Sequence, residues 1–203
     1  MALTQNKAVL SWIEQMVELT NPEQVVWIDG SEKQLNELKQ EAFRTGEMIE
    51  LDQEKLPGCM YHRTAVNDVA RVEGRTFICT SNSAEEVGPT NNWMQSDEAY
   101  KMVEDIARGS MKGRTMYVIP YCMGPVGSPF AKVGLELTDS IYVVLNMNIM
   151  TRIGKNVMDM LGDSTDFVKG THCKCNVDPE QRYILHFPED NAIWSVNSAY
   201  GGN

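Results

Sequence analysis

The sequence predicts a mixed α/β domain in which helices flank a mixed β-sheet, and three observations support this class. Helical patterns and short apolar extended segments alternate along the first hundred residues. The chain has 203 residues and is 42% hydrophobic, which is enough to bury one sizeable core. No repeat, low-complexity tract or clear linker divides it, so residues 1–203 are predicted to form one domain.

The chain opens with a predicted amphipathic helix. Apolar residues recur at helical spacing from Val9 to Val17, and Thr4 stands where it can cap the first turn. Pro22 cannot continue a helix, so the helix is expected to end at Asn21.

A strand, a turn and a second helix follow in order. Residues 24–28 form a short apolar run that predicts a buried strand, and the Asp29-Gly30 dipeptide predicts a turn. Ser31 and Gln34 have the spacing of a capping box, which places a helix from Ser31 to about Thr45. Gly46 supplies its stop.

The remaining elements are predicted from shorter patterns. Helices are expected from Ser96 to Gly109, where acidic residues occupy the first turn, and from Asn156 to Leu161. Residues 81–93 are rich in Ser, Asn, Gly and Pro and predict an ordered loop. The strand candidates are residues 48–51, 75–80, 114–120, 182–187 and 193–196, with weaker alternation at 132–137 and a strongly apolar run at 142–150.

Composition excludes several classes of partner. The formal net charge is −10, and the sequence has no run of Lys and Arg that would concentrate positive charge locally. Nucleic acid is therefore not expected as a partner. No apolar run approaches the roughly 20 residues of a membrane-spanning helix, and the N-terminus lacks the features of a signal peptide. Five scattered cysteines do not form a disulfide framework, so we expect reduced thiols and a cytoplasmic protein.

Several chemistry-bearing motifs are better interpreted as structural. The loop at residues 124–129 lacks the ending of a phosphate loop and carries two prolines, which favours a rigid turn. The cluster at residues 172–175 has no second ligand pair, which favours ordinary thiols over zinc. His62 and His186 lack a catalytic partner in the sequence pattern. The acidic residues at 85–86, 163 and 166 are expected to be a solvated surface and not an ion site.

Two separated pieces are better candidates for binding a carboxylate. Arg71 ends a short apolar helical pattern just before a strand, where its guanidinium can form two parallel bonds to a carboxylate, although a salt bridge to Glu73 is the alternative. The Tyr200-Gly201-Gly202 turn can offer backbone N–H groups and the positive ring edge of Tyr200 to an anion, and a plain C-terminal loop is its alternative.

A set of ordered motifs resembles one known family, the GTP-dependent phosphoenolpyruvate carboxykinases. The resemblance runs from about Trp27 to the end of the chain, and it corresponds to the front portion of the family's chain. The motifs are Arg63–Glu73 (RTAVNDVARVE), Gly88–Met94 (GPTNNWM), Lys112–Pro120 (KGRTMYVIP), Met123–Pro129 (MGPVGSP), Leu137–Ser140 (LTDS), Ile149–Arg152 (IMTR) and Tyr200–Asn203 (YGGN).

The resemblance implies a reaction and its cofactors. In the family, oxaloacetate is decarboxylated to an enolate, which takes the γ-phosphoryl group of GTP and gives phosphoenolpyruvate, carbon dioxide and GDP. Manganese at the site and magnesium on the nucleotide supply positive charge where the enolate oxygen develops. Family members are usually monomers, and they belong to gluconeogenesis. The implied partners are the small-molecule substrates and the nucleotide-binding C-terminal part, and neither a nucleic acid nor a membrane is implied.

Carried over position by position, the resemblance assigns substrate-binding residues and no others. Arg71 is implied to hold the substrate carboxylate, and Tyr200, Gly201 and Gly202 to line the same pocket, with Asn203 as a further contact. The catalytic and metal-binding residues of the family lie beyond the end of this chain, so none is assigned to it. The chain departs from the family's pattern in two places, and among these departures Asn197 and Ala199 stand where the family usually has glycine.

Two functional classes compete at this point. In the first, the chain is the substrate-side N-terminal domain of the lyase and shows no GTP-dependent turnover alone. In the second, it is a noncatalytic module that binds dicarboxylates or another protein. Because the chain stops inside the Tyr-Gly-Gly-Asn motif, we favour the first.

Overall fold

A computed structural model describes residues 2–63 and 72–199, and it confirms the predicted class of a mixed sheet flanked by helices. The helices in this part of the chain are α1 (Lys7–Thr20), α2 (Glu32–Thr45), α3 (Ser96–Ala107), α4 (Ile141–Met150) and α5 (Lys155–Leu161). The strands are β1 (Gln24–Trp27), β2 (Ile49–Glu50), β3 (Met60–Tyr61), β4 (Thr76–Thr80), β5 (Asn92–Gln95), β6 (Thr115–Met123), β7 (Lys132–Thr138), β8 (Arg152–Ile153), β9 (Val168–Cys173), β10 (Tyr183–Phe187) and β11 (Ala192–Val196).

Nine of these strands form one mixed sheet. Its order is β1-β6-β7-β9-β11-β10-β4-β5, and β8 adds to β6 outside this path. The pairs β6·β7, β6·β8 and β10·β11 are antiparallel, and the other neighbours in the sheet are parallel. Strands β2 and β3 form a separate two-stranded sheet.

The sheet has a hydrophobic core on each face. Helices α1, α3 and α5 cover one face, and α2 and α4 cover part of the other. Strand β6 contributes to both cores because successive side chains of a strand point to opposite faces. Met116 and Val118 belong to the first core, while Tyr117 and Ile119 belong to the second.

Both ends of the first two helices follow from their sequences, with one correction. Asn6 caps α1 and not Thr4, because the Asn6 side chain accepts bonds from the N–H groups of Ala8 and Val9. Thr4 instead accepts from the N–H of Asn6. Ser31 caps α2 as predicted, and Gly46 ends it with a left-handed φ of 75°.

Three predictions about extended segments were wrong or incomplete. Strand β1 is an edge strand with exposed and half-buried residues, and not a buried one. The predicted loop at 81–93 contains a short 3-10 helix and the start of β5, which pairs with β4. Strand β9 was not predicted, since its sequence VKGTHC lacks an apolar run, yet it lies between β7 and β11 in the middle of the sheet.

Candidate functional site

The sheet brings the flanks of the two predicted binding pieces to one edge. Residue 72 precedes β4, and residues 197–199 follow β11. Strand β10 lies between β4 and β11, parallel to β4 and antiparallel to β11. The start of β4 and the end of β11 therefore lie at the same end of the sheet. Two strand spacings separate them, about 10 Å. We call this the shared edge, defined by residues 72–75 and 197–199.

The short 3-10 segment that precedes β10 ties the two sides of the shared edge together. The Arg75 guanidinium donates to the carbonyl of Pro179 and, at 2.8 Å, to the carboxylate of Glu180. From the other side, the Asn197 side chain accepts from the N–H of Asp178 at 3.1 Å and donates to the carbonyl of Gln181 at 2.9 Å. Residues 178–181 therefore form a hydrogen-bonded bridge between the start of β4 and the end of β11.

Asn197 occupies a left-handed backbone position at the shared edge. Its φ is +62°, in the left-handed region that glycine enters most easily and asparagine tolerates better than most residues. Its N–H donates to the carbonyl of Cys173, and its carbonyl accepts from the Arg182 side chain, both at 3.0 Å. The side chain of Asn197 also bonds to the bridge, so it stabilises this left-handed conformation. A glycine could adopt the same conformation but has no side chain to stabilise it.

A buried histidine lies directly under the segment that leads to Tyr200. His172 is the penultimate residue of β9 and is fully buried. Its Nε2 lies 2.5 Å from the carbonyl oxygen of Ser198, and its Nδ1 lies 2.7 Å from the hydroxyl of Thr138 on the neighbouring strand β7. The Thr138 hydroxyl in turn accepts from the N–H of Ser140 at 3.1 Å.

Charged groups brace the same edge. The side chain of Asp139 is fully buried and receives Arg114 at 2.7 Å and the N–H of Lys174 at 2.9 Å. These contacts unite the motifs at 112–120 and 137–140, whose roles the sequence did not reveal. At the start of α4, the Glu47 carboxylate accepts from the Ser140 hydroxyl at 2.7 Å and from the N–H of Tyr142 at 3.1 Å. Glu47 thus caps α4 from outside the helix.

A polar cleft opens beside residue 73. Its volume is about 350 Å³, within the range of small-molecule pockets. The lining residues come from β4 and the residues just before it, and from the start of β5 and the residues just before it, and the two strands pair in the sheet. They are Glu73, Gly74, Thr76, Ile78, Thr90, Asn91 and Asn92.

The residues predicted to bind substrate lie outside the described ranges. Arg71 directly precedes the described residue 72, and Tyr200, Gly201, Gly202 and Asn203 directly follow residue 199. The predicted apolar helical pattern at residues 66–71 also lies outside the described residues. Their roles therefore stay predictions, and only their flanks at the shared edge are described.

Other sequence candidates have structural roles. His62 stacks on Tyr142 with ring centroids 4.0 Å apart, and its Nδ1 lies against the carbonyl of Glu47. His186 is half-buried within β10. In the loop at 124–129, the N–H of Ser128 donates to the carbonyl of Pro125, as expected of a turn.

The cysteine cluster does not form a metal centre among the described residues. All five cysteines are free, and burial raises the pKa of the Cys173 and Cys175 thiols above the usual value. Metal binding needs thiolates, which this burial disfavours. Across residues 2–63 and 72–199, no three His, Cys, Asp or Glu side chains are grouped to hold a metal ion. The same residues include no helix long and apolar enough to cross a membrane.

Comparison with known proteins gives one consistent match. The family described as phosphoenolpyruvate carboxykinase N-terminal domain matches residues 11–203. Proteins named phosphoenolpyruvate carboxykinase [GTP] are similar to the chain over nearly all of its length. The relative from Anaeromyxobacter sp. (strain K) is 55% identical over 200 residues, which are 98% of this chain and 33% of that protein. The relative from Corynebacterium jeikeium (strain K411) is 48% identical over 216 residues, covering 100% and 35%. The chain therefore spans about a third of the length of the curated relatives it matches.

Proposed function

The chain belongs to the phosphoenolpyruvate carboxykinase N-terminal domain family, and from that premise we propose that it forms the substrate side of a GTP-dependent carboxykinase active site. The observation that supports this proposal most directly is the shared edge, where the chain leading out of Arg71 and the chain leading into Tyr200 meet two strands apart. Residues 72 and 199, which flank the two predicted pieces and stand more than 120 positions apart in the sequence, thus adjoin the same end of the sheet.

The proposed reaction explains why an arginine and a glycine turn are needed together. Decarboxylation of oxaloacetate leaves an enolate, and its oxygen attacks the γ-phosphoryl group of GTP to give phosphoenolpyruvate and GDP. Arg71 would hold the remaining carboxylate through two parallel charge-assisted bonds. The backbone N–H groups of the Tyr200-Gly201-Gly202 turn, continued by Asn203, would fix the other side of the substrate, so that its reacting oxygen meets the phosphoryl group in line.

The metal ions and the nucleotide are proposed to bind mainly to the part of the enzyme that lies outside this chain. Manganese at the site and magnesium on GTP would stabilise the developing negative charge. The described residues offer no cluster that fits a metal, so we assign no metal ligand and no metal-dependent step to this chain. A nucleotide-binding C-terminal part is the proposed source of both sites. The complete enzyme is proposed to be a cytoplasmic monomer that acts in gluconeogenesis. The 203-residue chain alone is proposed to show no GTP-dependent conversion of oxaloacetate.

Oxalate, which imitates the two oxygens of the enolate, tests the proposal directly. We expect the 203-residue chain to bind oxalate weakly and Arg71→Ala to weaken that binding at least about tenfold, the effect of losing a charge-assisted bidentate pair. Titration followed by NMR of the protein amides detects affinities in the millimolar range.

Arg44→Ala provides the matched control for Arg71→Ala. It removes the same kind of side chain from helix α2, away from the shared edge, where Arg44 is paired with Glu41. The control should therefore retain wild-type affinity for oxalate. Absence of oxalate binding in the wild type, or equal affinity in wild type and Arg71→Ala, contradicts the proposal.

A further inference from the structure

An exposed apolar surface lies at the end of the sheet opposite the shared edge. Strand β6 runs in the same direction as β4, so the end of β6 lies away from the start of β4. Strand β8 pairs antiparallel with that end, with Cys122 opposite Arg152. Residues 149–151, just before β8, therefore lie beside residues 123–125. We call the exposed apolar residues of these segments and of the loop that follows β6 the apolar patch: Met123, Val126, Phe130, Ile149 and Met150.

The apolar patch is more exposed than the packing of this chain alone explains. Phe130 is 93% exposed and Ile149 is 73% exposed. Residues 123–131 and 140–151 contain no charged residue, although 23% of the chain is charged. Monomeric proteins seldom expose a contiguous apolar patch of more than a few hundred Å², and larger patches mark interaction sites. Aromatic residues and Met are also enriched at protein interfaces.

The loop after β6 holds Phe130 in one place. The N–H of Gly127 donates to the sulfur of Met160 on α5 at 3.0 Å, which attaches the loop to a helix of the first core. The N–H of Phe130 donates to the hydroxyl of Ser128 at 3.2 Å. Two prolines restrict the backbone of the loop further. Because the loop is already ordered, a partner that covers the Phe130 ring loses little conformational entropy on contact.

The size of the apolar patch favours a partner on the same polypeptide over a second copy of the chain. Its residues together expose the area of about three whole residues, or roughly 600 Å². A stable dimer buries about 800 Å² on each partner. A covalently linked partner is present at an effective concentration of up to about a millimolar, so a smaller patch is sufficient. The chain spans about a third of the length of its relatives, so about two-thirds of such a polypeptide is available as the partner.

We propose that the apolar patch is a docking surface for the part of the complete enzyme's polypeptide that lies outside this chain, with Phe130 as the central contact. The matching surface should be apolar and uncharged, because a charge buried against the Phe130 ring would lose its water without gaining a partner. The inference rests on the proposed function for the existence of that remaining part. It adds a contact region at the end of the sheet away from the shared edge.

Thiol labelling measures whether the apolar patch is covered. Phe130→Cys is prepared in two proteins, namely the 203-residue chain and a chimera in which this chain replaces the matching 200 residues of the relative from Anaeromyxobacter sp. (strain K). A maleimide is the probe, and mass spectrometry of peptides gives the rate at each thiol. Cys59 is exposed and free, so it serves as the internal reference in both proteins.

The two proteins should differ at position 130 only. In the 203-residue chain, the thiol of Phe130→Cys should react within about threefold of the rate of Cys59. In the chimera it should react at least about tenfold more slowly relative to Cys59, because the reagent reaches it only when the contact opens. Equal slowing of both thiols would contradict a contact specific to the apolar patch.

Conversion of oxaloacetate and GTP to phosphoenolpyruvate by the chimera keeps the two proposals apart. If the thiol is protected but the chimera shows no turnover, the proposed function fails and the docking surface stands. If the chimera turns over and the thiol reacts as fast as in the 203-residue chain, the docking surface is wrong. Protection in the 203-residue chain that grows with protein concentration would assign the apolar patch to a second copy and overturn the proposal.

The intact relative replaces the chimera if the chimera does not fold. A cysteine at its position matching Phe130 is then labelled in the same way. Slow labelling supports the docking surface, and labelling as fast as in the 203-residue Phe130→Cys chain contradicts it.

Discussion

At the scale of single residues, the sheet contains a carboxyl group whose surroundings the sequence does not reveal. Glu136 lies on β7, and a Cβ on the paired Gly170 of β9 would overlap its carboxylate. Burial raises the pKa of Glu136 to about 8. Tyr121 lies on the same face, and burial, with the Glu136 charge as a smaller cause, raises its pKa to about 12. A larger residue at position 170 would therefore force the Glu136 carboxylate to move.

The raised pKa of Glu136 predicts a pH-dependent stability. Between the ordinary value of 4.5 and about 8 the folded chain keeps the proton that the unfolded chain has lost, so the free energy of unfolding falls as pH rises through this window. Glu136→Gln replaces the carboxyl group by a neutral group of the same shape and should remove that fall. We expect the variant to gain at least about 1 kcal/mol relative to wild type on going from about pH 5 to about pH 7.5.

Urea unfolding at several pH values measures the Glu136 effect. Glu54→Gln is the control, since Glu54 is exposed and the variant should keep the wild-type pH profile. Parallel profiles for the wild type and Glu136→Gln would show that Glu136 is not held protonated in the folded state.

At the scale of elements, the start of α1 is attached to a distant loop through one side chain. The buried Asn6 caps the helix with its oxygen, and its Nδ2 donates to the carbonyls of Gly162 and Ser164 at 2.8 and 2.9 Å. Asn6→Ala should therefore lower the free energy of unfolding by about 2 kcal/mol, the sum of a lost cap and two orphaned carbonyls. Asn6→Ser keeps an oxygen for the cap but lacks the two donated bonds, so it should fall in between.

Thr4→Ala is the comparison for Asn6→Ala, because the sequence pattern favours Thr4 as the cap. Thr4 accepts one bond outside the helix, so its loss should cost no more than about 0.5 kcal/mol in chemical denaturation. If Thr4→Ala proves as costly as Asn6→Ala, the cap assignment is wrong.

The contrast between Thr4 and Asn6 shows what local pattern can predict. Helices α1 and α2 follow from apolar spacing and capping residues, so their existence and their C-terminal ends were predictable. Strand β9 was not predictable from local pattern. Its residues are not a hydrophobic run, and they form a strand because they pair with the neighbouring strands β7 and β11. The contacts of His172 could not be predicted for a related reason, since its partners Thr138 and Ser198 are 34 and 26 positions away in the sequence.

At the scale of the whole molecule, the candidate site is a product of topology. The start of β4 and the end of β11 lie at the same end of the sheet because β10 pairs in parallel with β4 and antiparallel with β11, and this strand order cannot be predicted from a single sequence. Resemblance to a family names Arg71 and Tyr200 as a proposed pair, but it gives no structural reason for pairing them. The sheet gives that reason for their described flanks, so the integrity of the whole sheet should determine the integrity of the site.

That dependence predicts that the two cores unfold together. Val103 on α3 and Val144 on α4 are both fully buried, they lie in the cores on opposite faces of the sheet, and β6 contributes side chains to both cores. Val103→Ala and Val144→Ala should each lower the free energy of unfolding by about 2 kcal/mol. Because the cores share β6, native-state hydrogen exchange should show that each substitution reduces protection in both helices by a similar amount. If Val144→Ala exposes only α4 and leaves α3 protected, the domain consists of two separate cooperative units, and the shared edge is stabilised by the first core alone.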